Sequence, residues 1–151
     1  MMSDLQASPT HLADLEALYA EAAEFTHNLT PSGSHATLVT LSGELGAGKT
    51  SFTQGIAHAL GIEEPIASPT FVLEKIYDLP AGKAFAKLVH IDAYRLEGDR
   101  SFAPLGFDEL YTEPSNLIVI EWPELVESQL PDADEAVALS VNGDGRDISY
   151  A

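Results

Sequence analysis

The chain has 151 residues, 45% of them hydrophobic, which suits one soluble globular domain with a sizeable core. It carries no cysteine, which excludes disulfides, cysteine-ligated zinc and thiol catalysis. Its 24 acidic residues against 7 basic ones give a net charge of −17, which argues against direct strong nucleic-acid binding, because phosphate contacts need lysine and arginine.

No apolar run approaches the ~18 residues of a membrane span, so no membrane partner is expected. Met1-Met2-Ser3-Asp4 lacks the basic and apolar regions of a secretory signal, and a cytoplasmic location is the expectation. From the N-terminal side, Leu15, Leu18, Ala22, Phe25 and Leu29 recur three and four apart, predicting an amphipathic helix over about residues 10–29, with Thr10 as its cap. Pro31-Ser32-Gly33-Ser34 reads as a loop into the core, which runs from about residue 35 to 151. His35 to Ser42 is β-branched and apolar, the pattern of a buried strand.

Gly43-Glu44-Leu45-Gly46-Ala47-Gly48-Lys49-Thr50 follows, matching the phosphate-binding loop pattern of Gly, four residues, then Gly-Lys-Ser/Thr. Each residue type has a reason. The glycines let backbone N–H groups turn inward around phosphate oxygens. Lys49 can reach β- and γ-phosphates as a point charge, and the Thr50 hydroxyl can ligate Mg²⁺. Phe52, Ile56, Ala59 and Leu60 then recur at helical spacing until Gly61, so the motif sits in the strand–loop–helix context that supports it. The helix would point its positive end at the phosphates. Glu44, Leu45, Gly46, Ala47, Gly48, Lys49, Thr50 and Ser51 are therefore candidate ATP-binding residues. The overall negative field repels an anionic ligand, so such a site has to win locally, through Lys49, the loop amides and Mg²⁺.

Farther along, Phe71 to Tyr77 and Phe85 to Asp92 read as strands about a turn at Asp78-Leu79-Pro80-Ala81-Gly82. Glu97 to Thr112 reads as a helix broken near Pro104, Leu117 to Glu121 as a short apolar strand, and Pro123 to Leu130 as one or two helical turns. Ala136 to Val141 and Asp147 to Tyr150 flank Asn142-Gly143-Asp144-Gly145-Arg146, a hairpin pattern. Eleven acids lie between Glu97 and Glu135 with only Arg100 opposing them, either a solvated face or a docking surface for a basic partner.

Two strands end in an acid, Leu88-Val89-His90-Ile91-Asp92 and Leu117-Ile118-Val119-Ile120-Glu121, where ligands bind in open α/β sheets. Either carboxylate could hold Mg²⁺ while the other orients an attacking water. Thr70, in Ser68-Pro69-Thr70, fits a γ-phosphate sensor or a plain proline turn. His90 reads equally as a satisfied core histidine or a functional one. Trp122, next to Glu121, packs in the core or reports on nucleotide. Arg95 and Arg146 are scarce positive charges, suited to phosphate contact or to ion pairing.

Gly43 to Thr50, Ser68-Pro69-Thr70-Phe71, His90-Ile91-Asp92-Ala93-Tyr94-Arg95-Leu96 and Ile120-Glu121-Trp122-Pro123-Glu124 occur in this order and spacing. Together they resemble the bacterial TsaE (YjeE) family, over about Ala36 to Trp122 and more weakly beyond. The resemblance implies an α/β fold, a single P-loop NTPase domain with a central, mostly parallel sheet flanked by helices and ending in a hairpin. It implies a Mg²⁺-dependent ATPase, weak alone, that supports the TsaB–TsaD complex in threonylcarbamoyladenosine modification of tRNA. By motif match, Lys49 and Thr50 would be phosphate and Mg²⁺ ligands, Glu121 the second metal residue, Asp92 catalytic, Thr70 part of a switch loop, and Arg146 near the nucleotide. The chain departs from the family pattern at Glu44, where an aspartate is usual, and at Ala93, where an aliphatic is usual; neither removes a ligand. Other readings of the loop are a small-molecule kinase, which the few basic residues disfavour, a GTPase, for which no Asn-Lys-x-Asp motif occurs, and a nucleotide-dependent interaction module without turnover.

Overall fold

The structure, a computed structural model, describes residues 9–64, 74–95 and 106–151. Its frame is a seven-stranded sheet built from β1 (Thr10–Leu12), β2 (Thr37–Ser42), β3 (Glu74–Asp78), β4 (Lys87–Asp92), β5 (Asn116–Glu121), β6 (Glu135–Asn142) and β7 (Gly145–Tyr150). The strands lie in the order β1-β7-β6-β2-β5-β4-β3. The four in the middle, β6, β2, β5 and β4, run parallel, while β3 at one end and β7 and β1 at the other pair antiparallel.

The sequence explains this division. β2 and β5 are buried along almost their whole length, as expected of central parallel strands covered on both faces. β6 alternates buried Val137 and Leu139 with exposed positions, the pattern of a strand wet on one side. Gly143 adopts φ 62°, which lets Asn142-Gly143-Asp144-Gly145 reverse the chain between β6 and β7.

One face of the sheet carries α1 (Leu15–His27) and α2 (Lys49–Ala59), packed through Leu18, Ala22, Phe25, Phe52 and Ile56 against Val39, Leu41, Leu117 and Val119. The helices approach closely because α2 has a glycine at the crossing: a Cβ on Gly55 would lie 2.6 Å from Ala22 Cβ. The other face is covered by α3 (Phe107–Tyr111) and two 3₁₀ turns, Pro123–Leu125 and Glu127–Gln129, with Phe107 and Val126 against Leu38, Ile118 and Ile120. No helix among the described residues is long and apolar enough to cross a membrane.

Some boundaries differ from the sequence reading. The first helix does not start at Thr10. Thr10–Leu12 is a strand paired with Arg146–Ile148, and the cap is Asp14, whose carboxylate accepts the Ala17 amide at 2.8 Å. The helix ends at His27, with Asn28 closing it. Of the helix expected over Glu97–Thr112, only the part from 106 onward lies within the described residues, and α3 occupies it. Pro123 to Leu130 does form the expected one or two helical turns, both of them 3₁₀.

Candidate functional site

β2, β4 and β5 all end on one edge of the sheet, and their carboxyl ends build the site together with the glycine loop. After Ser42 the chain turns at Gly43, φ 148°, so close beneath β6 that a Cβ there would sit 2.3 Å from the Leu139 carbonyl oxygen. Gly46 (φ 81°) and Gly48 (φ 105°) also adopt left-handed backbone that other residues resist. Gly48 occupies the capping position of α2 with no side chain to satisfy the helix's first amides.

Between the glycines, Leu45 is exposed and Ala47 buried. The Glu44 carboxylate turns away from the loop's interior and accepts the Val141 amide at 2.9 Å. Lys49, Thr50 and Ser51 form the first turn of α2 and line the cleft. The Lys49 ammonium donates to the carbonyls of Gly43 and Glu44, at 2.5 and 2.9 Å, and lies 4.1 Å from the centre of the Trp122 ring. Burial pushes the Lys49 pKa below the ordinary lysine value, and the carboxylates of Glu121, Glu124, Asp92 and Glu44 pull it back up.

Glu121 stands on the other side. Strand register sets it opposite Asp92 of β4 and Leu41 of β2, on the sheet face that carries α2. The Thr50 hydroxyl donates to its carboxylate, 3.1 and 3.3 Å from the two oxygens. A hydroxyl that gives its hydrogen to an acid keeps its lone pairs for a cation, so this pairing is a ready arrangement of hard oxygen donors. His90 Nε2 lies 2.6 Å from Glu121 Oε2, and both side chains are buried. Asp92 Oδ1 accepts the Tyr94 amide at 3.0 Å, at the start of a 3₁₀ turn, Ala93–Arg95.

Trp122 follows directly with φ 62° and ψ 49°, the only non-glycine residue of positive φ among the described residues. That backbone costs on the order of 1 kcal/mol or more. It throws the ring out of the line of β5 and over the loop, where it also packs on Tyr94 at 4.9 Å. Arg146 reaches the loop from β7, its Nε donating to the Gly46 carbonyl at 3.0 Å. Between these groups lies a cleft of about 540 Å³, lined also by Leu12, Asp14, Leu15 and Leu18 from the N-terminal segment.

The structure thus gathers Leu45, Gly46, Gly48, Lys49, Thr50, Ser51, Asp92, Glu121, Trp122 and Arg146 around one cleft. Thr70 lies outside the described residues. Three contributions are absent from the sequence reading. Tyr94 lines the cleft and packs on Trp122. The N-terminal wall depends on strand β1 and on Asp14, whose cap signature before Leu15 was available. His90 pairs with Glu121, although its alternating strand position alone does not reveal which acid it meets.

A sequence model of the family described as "Threonylcarbamoyl adenosine biosynthesis protein TsaE" matches residues 12–148 of the chain. Among curated proteins, the chain is similar to the tRNA threonylcarbamoyladenosine biosynthesis protein TsaE of Bacillus subtilis (strain 168), 39% identical over 114 residues, covering 75% of this chain and 68% of the relative. The protein of the same name from Treponema pallidum (strain Nichols) is 42% identical over 115 residues, covering 76% and 81%. Among solved structures, the crystal structure of Bacillus subtilis YdiB superposes with a TM-score of 0.73 at 28% identity, covering 95% of this chain and 83% of that one. With the family's sequence model spanning nearly the whole chain, and relatives agreeing over most of it, the protein belongs to the TsaE family.

Proposed function

We propose that this chain is a Mg²⁺-dependent ATPase subunit acting with a TsaB–TsaD complex in the threonylcarbamoyladenosine modification of tRNA. The family supports the pathway; the site supports the chemistry. The observation that carries the reading is the Thr50–Glu121 pair, 3.1 Å apart, directly under a glycine loop that opens α2. A cation held there would neutralise phosphate charge and need only one hydroxyl and one carboxylate from the protein, as Mg²⁺ sites on nucleotides do.

The residues present fit that ligand. The donors are hard oxygens, the loop amides of α2 have no side-chain cap, and a cleft of about 540 Å³ falls within the range of small-ligand sites. In this reading Lys49 exchanges its loop carbonyls for phosphate oxygens and Thr50 and Glu121 hold the metal. Asp92, beside Glu121 in the sheet, positions a water, and Arg146 steadies the far end of the nucleotide. A small-molecule kinase is less well supported, because Lys49 and Arg146 are the only basic side chains lining the cleft among the described residues.

Isothermal titration with MgATP tests the reading. Lys49→Ala should weaken nucleotide binding by about 100-fold, the loss of a hydrogen-bonded charge. Glu121→Ala should retain binding in the absence of Mg²⁺ while hydrolysis, measured with TsaB and TsaD supplied, is lost. A Lys49→Ala protein that binds and hydrolyses ATP like the parent would overturn the reading.

A further inference from the structure

We infer that His90 is a positioning residue for the metal-holding carboxylate: it fixes Glu121 in the one posture that faces Thr50. The inference rests on the nucleotide reading above and goes beyond it, since it assigns a role to a residue that touches neither ligand nor loop.

The argument starts from the sheet. His90 stands opposite Val119 of β5, and Asp92 opposite Glu121, so His90 and Glu121 lie on the same face two positions apart along adjacent strands. That diagonal is within reach of long side chains. His90 is 0% exposed, in the interior of β4 between β3 and β5, so its ring has nowhere to swing. Its Nε2 sits 2.6 Å from Glu121 Oε2. A carboxylate only accepts, so the proton of this contact belongs on Nε2. The other nitrogen, Nδ1, is buried with no hydrogen-bond partner among the described residues. A protonated Nδ1 there would bury an unmade donor, so the geometry selects the tautomer that donates to Glu121.

Glu121 needs that constraint. It has three rotatable side-chain bonds and is the last residue of its strand, followed by the left-handed turn at Trp122. One hydroxyl 3.1 Å away cannot by itself fix both its carboxylate oxygens. With the imidazole on Oε2 and the Thr50 hydroxyl closer to Oε1, the carboxylate plane is pinned from two rigid elements, β4 and α2. A buried polar pair of this kind costs desolvation that well-packed apolar side chains avoid, so stability alone is a poor reason for it. Groups that orient a metal's ligand typically change metal affinity by 10–100-fold when removed.

The test separates metal binding from nucleotide binding. ADP affinity is measured by calorimetry in EDTA, and the Mg²⁺ midpoint of the ADP complex is then titrated, for the parent, His90→Leu, His90→Gln and His90→Asn. His90→Leu should leave ADP affinity in EDTA within about twofold and raise the Mg²⁺ midpoint by about 10–100-fold. His90→Gln, whose amide nitrogen reaches about as far as Nε2, should restore most of the parent midpoint, and the shorter His90→Asn should not. Should His90→Leu fail to fold, the Gln–Asn difference decides; equal midpoints for the two overturn the inference, as does a His90→Leu midpoint equal to the parent's.

A metal-free readout stands beside these. Long-range ¹H–¹⁵N spectra of the protein alone should place the His90 proton on Nε2, and a ring protonated only on Nδ1 would overturn the inference. A parent that binds no ADP in EDTA would instead count against the loop reading, leaving the spectrum to decide on His90.

Discussion

The two sides of the cleft are built differently. The acid side, Glu121 with Thr50, His90 and Asp92, stands on buried strand ends and the first turn of α2, and Thr50 and His90 already meet the Glu121 carboxylate. The cation side, Lys49 with Trp122, Arg146 and the loop, is engaged with the protein's own backbone: Lys49 on Gly43 and Glu44, Arg146 on Gly46 and Gly145. An anion approaching the cation side therefore replaces contacts rather than adding them, and the affinity it gains is the difference. A metal approaching the acid side meets donors already aligned. Rigid strands prepare one half, and exchangeable carbonyl contacts hold the other in reserve.

Substitutions at four positions test this contrast, the largest effect first. Gly43→Ala drives a methyl group to 2.3 Å from the Leu139 carbonyl at a φ of 148°, so the loop must lift off β6. Urea unfolding should show a loss of about 3 kcal/mol, whereas a loss below about 0.5 kcal/mol would mean the loop is not clamped. Thr50→Val keeps the shape of α2 but removes the hydroxyl from Glu121. It should cost about 2 kcal/mol of the Mg²⁺-dependent part of ADP affinity and spare the rest, read by calorimetry with and without EDTA. Loss of metal-free binding instead would place Thr50 on the cation side.

Trp122→Leu removes the ring from over Lys49, a contact worth about 1 kcal/mol. Freed of that competitor, Lys49 should bind ADP about fivefold more tightly in EDTA; a weaker complex would show that the ring grips the ligand rather than the lysine. Glu44→Ala deletes the acceptor for the Val141 amide and should lower stability by about 1 kcal/mol in thermal melts, while Glu44→Gln, which keeps an acceptor oxygen, should lose little.

The cation side was the more legible of the two in the sequence. Gly43, Gly46, Gly48 and Lys49 fall within one run of eight residues, Gly43 to Thr50, so that single local pattern conveys most of it. Glu121 and Asp92 could be placed at strand ends because apolar runs precede them, yet only the parallel register shows that they stand side by side. The His90–Glu121 contact joins different strands, and no local period encodes it. β1 escaped for a related reason. Three residues are too few to show alternation, and Thr10 and Leu12 suit a helix entry as well as a strand; pairing with Arg146–Ile148 decides the matter. Asp14, by contrast, carries a readable cap signal, an aspartate directly before the first apolar residue of the helix.

The glycine loop is stitched to the last hairpin twice, by Glu44 on Val141 and by Arg146 on Gly46, across 97 and 100 residues of sequence. During synthesis the ribosome releases the loop long before those partners. The loop cannot take its final posture until β6 and β7 have emerged and docked, however early the strand and helix around it form. On the proposed reading, nucleotide capture would therefore switch on late, as a sign that the newborn chain has been threaded through to its closing strands.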